Sequence, residues 1–412
     1  MTAASQVHSA GDLGTFRGGS GFPVRYQGRK SGDLPFFKVS DMNSSGNELF
    51  MTRANNYISE SQRKALGAVR IPARAIVFAK VGAAVFKERK RILAQDSCID
   101  NNMAAFIVDE RQLDVRFAHY LLTAFKLSDL VAVGALPSLN GGQLRSIPML
   151  VPPRLSDQRQ IAAALTDADD LIATLERLIA KKQAIKQGMM QQLLTGRTRL
   201  PGFTFEWAPV RLRDAGGTYG GLVGKSKDDF GTGSATFVTF MEVMEGARLR
   251  GRRLARVRVR PTERQNRVLR GDVLFNGSSE TPEEVALAAV VDYEPTPTTY
   301  LNSFCFGYRL KDQNQIDPTY LAHFFRSSQG REIVSVLAQG ATRYNIAKTK
   351  LMSVSPMLPP IDEQRAIVSV LSDVEAEIEG LNVRLDKARA IKTGMMQQLL
   401  TGRTRLPVEA AS

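Results

Sequence analysis

Gly188-Met-Met-Gln-Gln-Leu-Leu-Thr-Gly-Arg-Thr-Arg-Leu-Pro201 recurs without a single change from Gly394 to Pro407. Upstream the identity fades while the register holds: Ala184-Ile185-Lys186 matches Ala390-Ile391-Lys392, and Gln158-Arg159 matches Gln364-Arg365. Farther back, Pro152-Pro153 answers Pro359-Pro360, and Ala118-His119 answers Ala322-His323. The chain is two copies of one unit, with copied spacers and diverged regions between them. Such a chain reads two different things with one geometry.

The copied segments carry a helical pattern. Ile161, Leu165, Ala168, Ile172, Leu175, Ile179 and Lys182 fall at alternating steps of four and three, and Ile367, Leu371, Val374, Ile378, Leu381, Leu385 and Ala388 repeat the same positions. This is a heptad seam. Ser156-Asp157-Gln158 and Asp362-Glu363-Gln364 supply an acidic helix start after each Pro-Pro pair, and Gly196 and Gly402 supply C-terminal stops. A helix of about 40 residues spans roughly 60 Å. A narrow apolar stripe is covered most simply by its own copy. The link from Gly196 to the next domain near Phe203 reaches only about 25 Å, so antiparallel packing is expected, with one globular domain at each end. Gly188 and Gly394 interrupt the helices at equivalent places, which implies either a close backbone approach or a local bend.

The expected fold is mixed α/β: two globular domains joined by two long helices packed as an antiparallel coiled coil, an internal pseudo-two-fold repeat. The expected boundaries are 1–155 and 203–360 for the domains, 156–202 for the first helical spacer, and 361–412 for the second spacer and tail. Short apolar runs such as Phe36 to Val39, Ala75 to Phe78, Ala105 to Val108, Phe237 to Phe240, Asp272 to Phe275 and Ala288 to Val291 read as strands. Phe117 to Phe125 and Tyr320 to Phe325 read as short helices.

The formal net charge of +14 makes a polyanion the first partner to consider. Its distribution is uneven: +8 over residues 1–155 and +5 over 203–360, against +2 over 156–202 and −1 over 361–412. Basic domains on nearly neutral spacers suggest domains that touch nucleic acid and spacers that do not. No apolar run approaches the ~20 residues of a membrane span, and Cys98 and Cys305 have no metal-ligand spacing, so a cytoplasmic protein with reduced thiols and no bound metal is expected.

Catalytic motifs fail on inspection. Gly220-Gly-Leu-Val-Gly224-Lys225-Ser226 misses the phosphate-loop spacing by one residue. Phe230-Gly-Thr-Gly233 reads as a turn, and Glu88-Arg89-Lys90 as a charged surface loop. His119 and His323 lack a sequence-adjacent nucleophile and read as matched core or helix-face histidines. No catalytic constellation emerges.

Binding is written more clearly. Ten arginines lie between Arg248 and Arg270 against one acid, Glu263. Within them Arg256-Val257-Arg258-Val259-Arg260 alternates, so a strand would present three guanidinium groups on one face. Arginine suits phosphate oxygens or guanine O6 and N7, although a solvated basic edge strand would look the same. Candidate DNA-binding residues are therefore Arg248, Arg250, Arg252, Arg253, Arg256, Arg258 and Arg260 in the second domain and Arg70, Arg74 and Lys80 in the first. Polar loops late in each domain add Asn140 and Gln143, then Arg343, Tyr344, Asn345 and Lys348, as groups that could read base edges or could form turns.

The chain resembles the specificity subunits of type I restriction-modification systems. The resemblance rests on the order domain, helix, domain, helix, and on Asp157-Gln-Arg159-Gln-Ile161-Ala with Glu363-Gln-Arg365-Ala-Ile367. The Pro-Pro pairs and Ile185-Lys-Gln-Gly-Met-Met-Gln-Gln-Leu-Leu-Thr-Gly complete it. It implies that the divergent domains are target recognition domains, each reading one half of a split double-stranded DNA site, and that the paired helices are ruler and docking surface. It also implies a noncatalytic subunit joined by two modification subunits, which bind adenosylmethionine and methylate adenine, and by restriction subunits that use ATP and magnesium to translocate and cleave. This chain itself would bind no cofactor. Because the two domains differ, the site should be asymmetric, with half-sites about 10 base pairs apart if both domains meet one face of the duplex. One departure is the short N-terminus: the first domain begins near Gly11-Asp-Leu-Gly14, so a closing segment would have to come from the C-terminal helix. Two alternatives stay open: the specificity subunit of a related system whose partner fuses methyltransferase and nuclease, and a freestanding DNA-modifying or DNA-cleaving enzyme.

Overall fold

The computed structural model describes residues 5–131, 137–251, 253–340, 343–404 and 406. Two compact units emerge: Met1–Glu176 with Arg384–Ser412, and Arg177–Val383. Two helices of 39 residues each, Leu155–Leu193 and Ile361–Leu399, contribute a stretch to both.

In the first unit the helices are tied by Lys392 to Asp169 at 2.5 Å and Arg389 to Glu176 at 2.6 Å. In the second, Lys186 meets Glu375 at 2.6 Å and Lys182 meets Glu377 at 2.7 Å. As one number rises its partner's falls, so the stretches run antiparallel inside each unit, as expected. Asp169 and Glu375 occupy one repeat position and Lys392 and Lys186 another. One contact is thus made twice with the roles of the copies exchanged, as in a self-complementary interface. Ile161, Leu165, Leu175, Ile179, Ile367, Leu371, Leu381 and Leu385 are buried, while Ile172, Val374 and Ile378 are half-buried.

The repeated residues at the helix ends have specific work. Gln158 is wholly buried: its Oε1 accepts from Asp114 N at 2.8 Å, and its Nε2 donates to Gln112 O at 3.0 Å and Pro152 O at 2.9 Å. Gln364 repeats the arrangement with Asp317 N at 2.9 Å, Pro359 O at 2.8 Å and Gln315 O at 3.4 Å. Asp114 and Asp317 are themselves the N-caps of the short helices Val115–Ala124 and Pro318–Arg326. Each glutamine therefore locks a long helix to the start of a domain helix. At the other end Gly196 and Gly402 take φ of 69° and 67°, and Thr198 N and Thr404 N donate to Gln192 O and Gln398 O, each at 3.2 Å. A Cβ at Gly188 or Gly394 would meet nothing within 4 Å and both helices continue through, so the close approach considered from sequence does not occur among the described residues.

Both globular parts share one strand order. In the first unit Gly14–Gly18, Met103–Val108, Ile76–Ala79 and Lys90–Leu93 lie side by side, extended by Phe50–Met51. In the second, Gly216–Gly220, Cys305–Leu310, Val273–Asn276 and Ala288–Val290 take the same places. Each has a smaller three-stranded sheet containing one parallel pair, Leu34–Phe37 with Cys98–Ile99 and Phe230–Val238 with Thr299–Leu301. The helices Val115–Ala124 and Pro318–Arg326 supply Phe117 and Phe324 to the respective cores. Ile161, Leu165, Leu399 and Leu400 enter the first of these cores, and Met190, Leu193, Ile367 and Leu371 the second. The long helices are therefore part of each domain's interior, because the seam residues Ile161, Leu165, Ile367 and Leu371 themselves pack into the domain cores.

Two local readings are corrected and a third, the rejected phosphate loop, holds. Glu88-Arg89-Lys90 is no surface loop: the Lys90 ammonium is fully buried, ion-paired with Glu88, and donates to Phe125 O at 3.1 Å. The Glu88 carboxylate also accepts from Leu127 N and Ser128 N at 3.1 and 2.8 Å, so the charges join segments distant in sequence. Phe230-Gly-Thr-Gly233 begins a strand instead of forming a free turn. Its register shifts between Phe230 and Ala235, and the positive φ of Gly231 and Gly233 (80° and 90°) makes the bulge. Gly224-Lys225 holds no phosphate-loop geometry, since the Lys225 ammonium is taken by Glu263 and by Arg258 O at 2.7 Å. No helix among the described residues is long and apolar enough to cross a membrane.

Candidate nucleic-acid interface

The arginine-rich stretch divides by what its side chains touch. Arg248 donates to Ser372 Oγ at 2.7 Å and faces Asp292 at 3.4 Å; Arg250 is ion-paired with Glu379. Arg253 lies 3.6 Å from Glu245, and its backbone amide and that of Arg250 donate to Glu242 at 2.8 and 2.9 Å. This first part is fastened to acids, two of its side chains directly to the second long helix. Arg252 lies outside the described residues.

The alternating part behaves differently. The strand Leu254–Val257 pairs with Phe230–Val238, and beyond it the chain stays extended enough that Val257 is buried, Val259 half-buried, and Arg256, Arg258 and Arg260 exposed. Arg258 reaches Asp229 at 3.4 Å, whereas the guanidinium groups of Arg256 and Arg260 have no acidic partner among the described residues. The apolar side packs on Phe237 and Leu222, so the alternation is imposed by burial of one face.

In the first unit Arg70 meets Asp96 at 3.1 Å, and Arg74, at φ of 68°, makes a two-pronged contact with Glu110 at 2.8 Å on each arm. Lys80 has no carboxylate partner among the described residues, and its backbone amide donates to Asn102 O at 2.8 Å. Asn140 and Gln143 are engaged with each other: each side chain accepts from the other's backbone amide at 2.9 Å, capping the helix Gly141–Arg145. Gln143 Nε2 also donates to Leu130 O at 2.6 Å. The spacing Asn-x-x-Gln carries that signal in the sequence.

The late loop of the second unit is more open. Tyr344–Asn345 pairs with Ser278–Ser279, the Arg343 guanidinium sits 5.2 Å over the ring of Phe304, and Lys348 begins the helix Lys348–Met352. Asn345 and Lys348 line a groove of about 570 Å³ with Gly220, Gly221 and Phe304, a ring that is 55% exposed. Sequence reasoning missed Phe304 and the paired glycines. The signal for the glycines is the shared spacing of Gly14, Gly18 and Gly19 with Gly216, Gly220 and Gly221.

His119, His323, Cys98 and Cys305 are interior. Burial pushes His119 and His323 down to about 4, leaving both neutral at neutral pH. His119 Nε2 lies 3.1 Å from Lys90 O, while neither ring nitrogen of His323 finds a hydrogen-bond partner among the described residues. Burial also drives the Cys98 thiol up to about 11 and that of Cys305 to about 12, so neither is a thiolate at neutral pH. Arg326 and Arg331 donate to backbone carbonyls of residues 243, 285 and 288 among others and serve the fold. What the surface offers chemically is a set of unpaired cations, an exposed aromatic ring and glycine edges, which suits an anionic polymer carrying stackable rings.

The family described as the type I restriction modification DNA specificity domain matches residues 4–187 and 264–387. The putative type I restriction enzyme MjaX specificity subunit of Methanocaldococcus jannaschii is 25% identical over 332 residues, 74% of this chain and 72% of that protein. Among solved structures, the type I restriction-modification system S subunit from M. genitalium aligns over 96% of both chains, with a TM-score of 0.59 at 11% identity. A structure described as the basis of complex assembly and conformational transition of the type I R-M system aligns over 97% of this chain and 98% of that one, with a TM-score of 0.58 at 14% identity. At these identities the structural likeness is one of fold.

Proposed function

This chain belongs to the type I restriction-modification DNA specificity family, and from that membership we propose how its two halves divide the work of recognition. Each globular domain is a target recognition domain that reads one part of a two-part, asymmetric site on double-stranded DNA. The copied helices hold the readers and dock two modification subunits and the restriction subunits. Specificity subunits of this family are noncatalytic; adenosylmethionine, ATP and magnesium would belong to those partners, acting together with this chain in the cytoplasm.

The observation that supports the reading best is one strand order used twice with different residues at the matched edges, each copy mounted on the same helical segment. A shared scaffold with divergent edges reads different bases; a catalytic repeat would keep the same reactive groups in both. Within the second unit, the exposed Arg256 and Arg260 and the Phe304 groove are the groups proposed to approach DNA. Co-expression with its cognate modification subunits in a host lacking adenine methylation, followed by genome-wide mapping of methyladenine, tests the reading. The expected motif has two unlike parts at a fixed gap, and exchanging residues 203–360 for a foreign domain changes one part only. A contiguous palindrome, or methylation unchanged when this chain is omitted, overturns it.

A further inference from the structure

One feature recurs in both domains although the residues that make it come from different places. The strands Gly14–Gly18 and Gly216–Gly220 occupy the same sheet position. A Cβ at Gly18 would lie 3.0 Å from the Lys80 ammonium, and a Cβ at Gly220 would lie 3.2 Å from the Lys348 ammonium. Lys80 directly follows the strand Ile76–Ala79, whereas Lys348 opens a helix more than seventy residues beyond the matching strand, Val273–Asn276. Two unrelated positions thus deliver a lysine to the same glycine edge.

The next residue in each strand fixes the floor of the site. A Cβ at Gly19 would fall 1.8 Å from Asp100 O, and one at Gly221 would fall 2.0 Å from Asn302 O, so the backbones touch there and tolerate no side chain. The touching turns then diverge: the residues that follow are Asn101-Asn102 in the first domain and Ser303-Phe304 in the second. Neither ammonium has a carboxylate partner among the described residues, in contrast to Arg70, Arg74, Arg248, Arg250 and Arg258, which all do. A buried or paired lysine would be structural; an unpaired one held against bare backbone is a point charge free to meet a phosphate.

We propose that Lys80 on Gly18 and Lys348 on Gly220 are equivalent phosphate grips, one per domain, which seat the DNA backbone so that the adjacent, divergent turns read bases. The inference rests on the DNA-recognition reading above and adds to it a division between positioning and specifying contacts. Bare glycine lets a phosphate approach the backbone, and the lysine supplies the charge. The grip is common to both domains because its ligand, the phosphate, is the same at every sequence.

The test uses the full-length chain and a fluorescein-labelled 30-base-pair duplex of mixed sequence, with anisotropy measured across a salt series. Each phosphate contact contributes about 0.9 to the slope of log affinity against log salt. Lys80→Ala and Lys348→Ala should each lower that slope by about 0.9 and the double variant by about 1.8, while Lys80→Arg keeps it. Lys64→Ala removes an exposed charge elsewhere and serves as the reference. Slopes no lower than that of Lys64→Ala, with wild-type binding intact, overturn the grips and leave the DNA-recognition reading standing. A change for one lysine alone overturns their equivalence. A wild-type chain that shows no salt-dependent binding overturns the DNA-recognition reading and the grips with it. Lys348 and Lys64 are exposed and Lys80 half-buried, and unchanged far-UV circular dichroism and unfolding midpoints keep a folding defect from imitating the result.

Discussion

Replacing Gln158 by leucine should unfasten one domain helix and leave its counterpart alone. The substitution is close in size but removes an acceptor from Asp114 N and a donor from Gln112 O and Pro152 O, bonds of 2.8, 3.0 and 2.9 Å at a fully buried side chain. An orphaned buried amide costs roughly 1–3 kcal/mol and each lost carbonyl bond about 0.5–1.5. Burying leucine returns about 1 kcal/mol, so the net loss should be about 1–5 kcal/mol. Gln364→Leu should cost somewhat less, because one of its three bonds is already long at 3.4 Å. The assay is urea unfolding of the full chain together with hydrogen exchange resolved by segment. At tenfold per 1.4 kcal/mol, exchange in Val115–Ala124 should accelerate about 5- to 4,000-fold in Gln158→Leu, with Pro318–Arg326 unaffected, and Gln364→Leu should show the mirror image. A loss below about 0.5 kcal/mol, or equal acceleration in both helices, refutes the argument that each glutamine locks its own domain.

His323, wholly buried with neither ring nitrogen hydrogen-bonded among the described residues, has a folded pKa pushed from 6.5 to about 4 by burial, outweighing the nearby Glu375. A base with a depressed folded pKa destabilises the fold when protonated, so stability should fall as pH drops from about 6.5 towards 4. His323→Leu should be nearly neutral at pH 7 and should flatten that acid limb in an unfolding series; an unaltered limb assigns the acid sensitivity elsewhere. Gly188→Ala and Gly394→Ala should each raise stability by up to ~1 kcal/mol, because the new methyl groups meet nothing within 4 Å; a lower urea midpoint would show crowding that this chain does not contain. Replacing Arg256, Arg258 and Arg260 together by alanine should reduce the salt slope of DNA binding by about 2–3 if all three contact phosphates, and an unchanged slope removes them from the interface.

The copied helices, their polarity and their caps were legible in the sequence because the physics that makes them is local. A heptad is a period, an αL glycine ends a helix within one turn, and a short link limits where the next element can go. The same locality explains why burial of Val257 between exposed Arg256 and Arg258 could be anticipated from alternation alone. Tertiary structure decided what depends on residues far apart. It set the strand order that places Gly14–Gly18 beside Met103–Val108, the carboxylates that claim Arg74, Arg248 and Arg250, and the burial of Lys90 with Glu88. A charge announces itself in a sequence, but whether it is free is settled by the partner that folding brings to it. For the same reason Lys80 and Lys348, unmatched along the chain, become equivalent only when two sheets with one strand order present the same glycine to each.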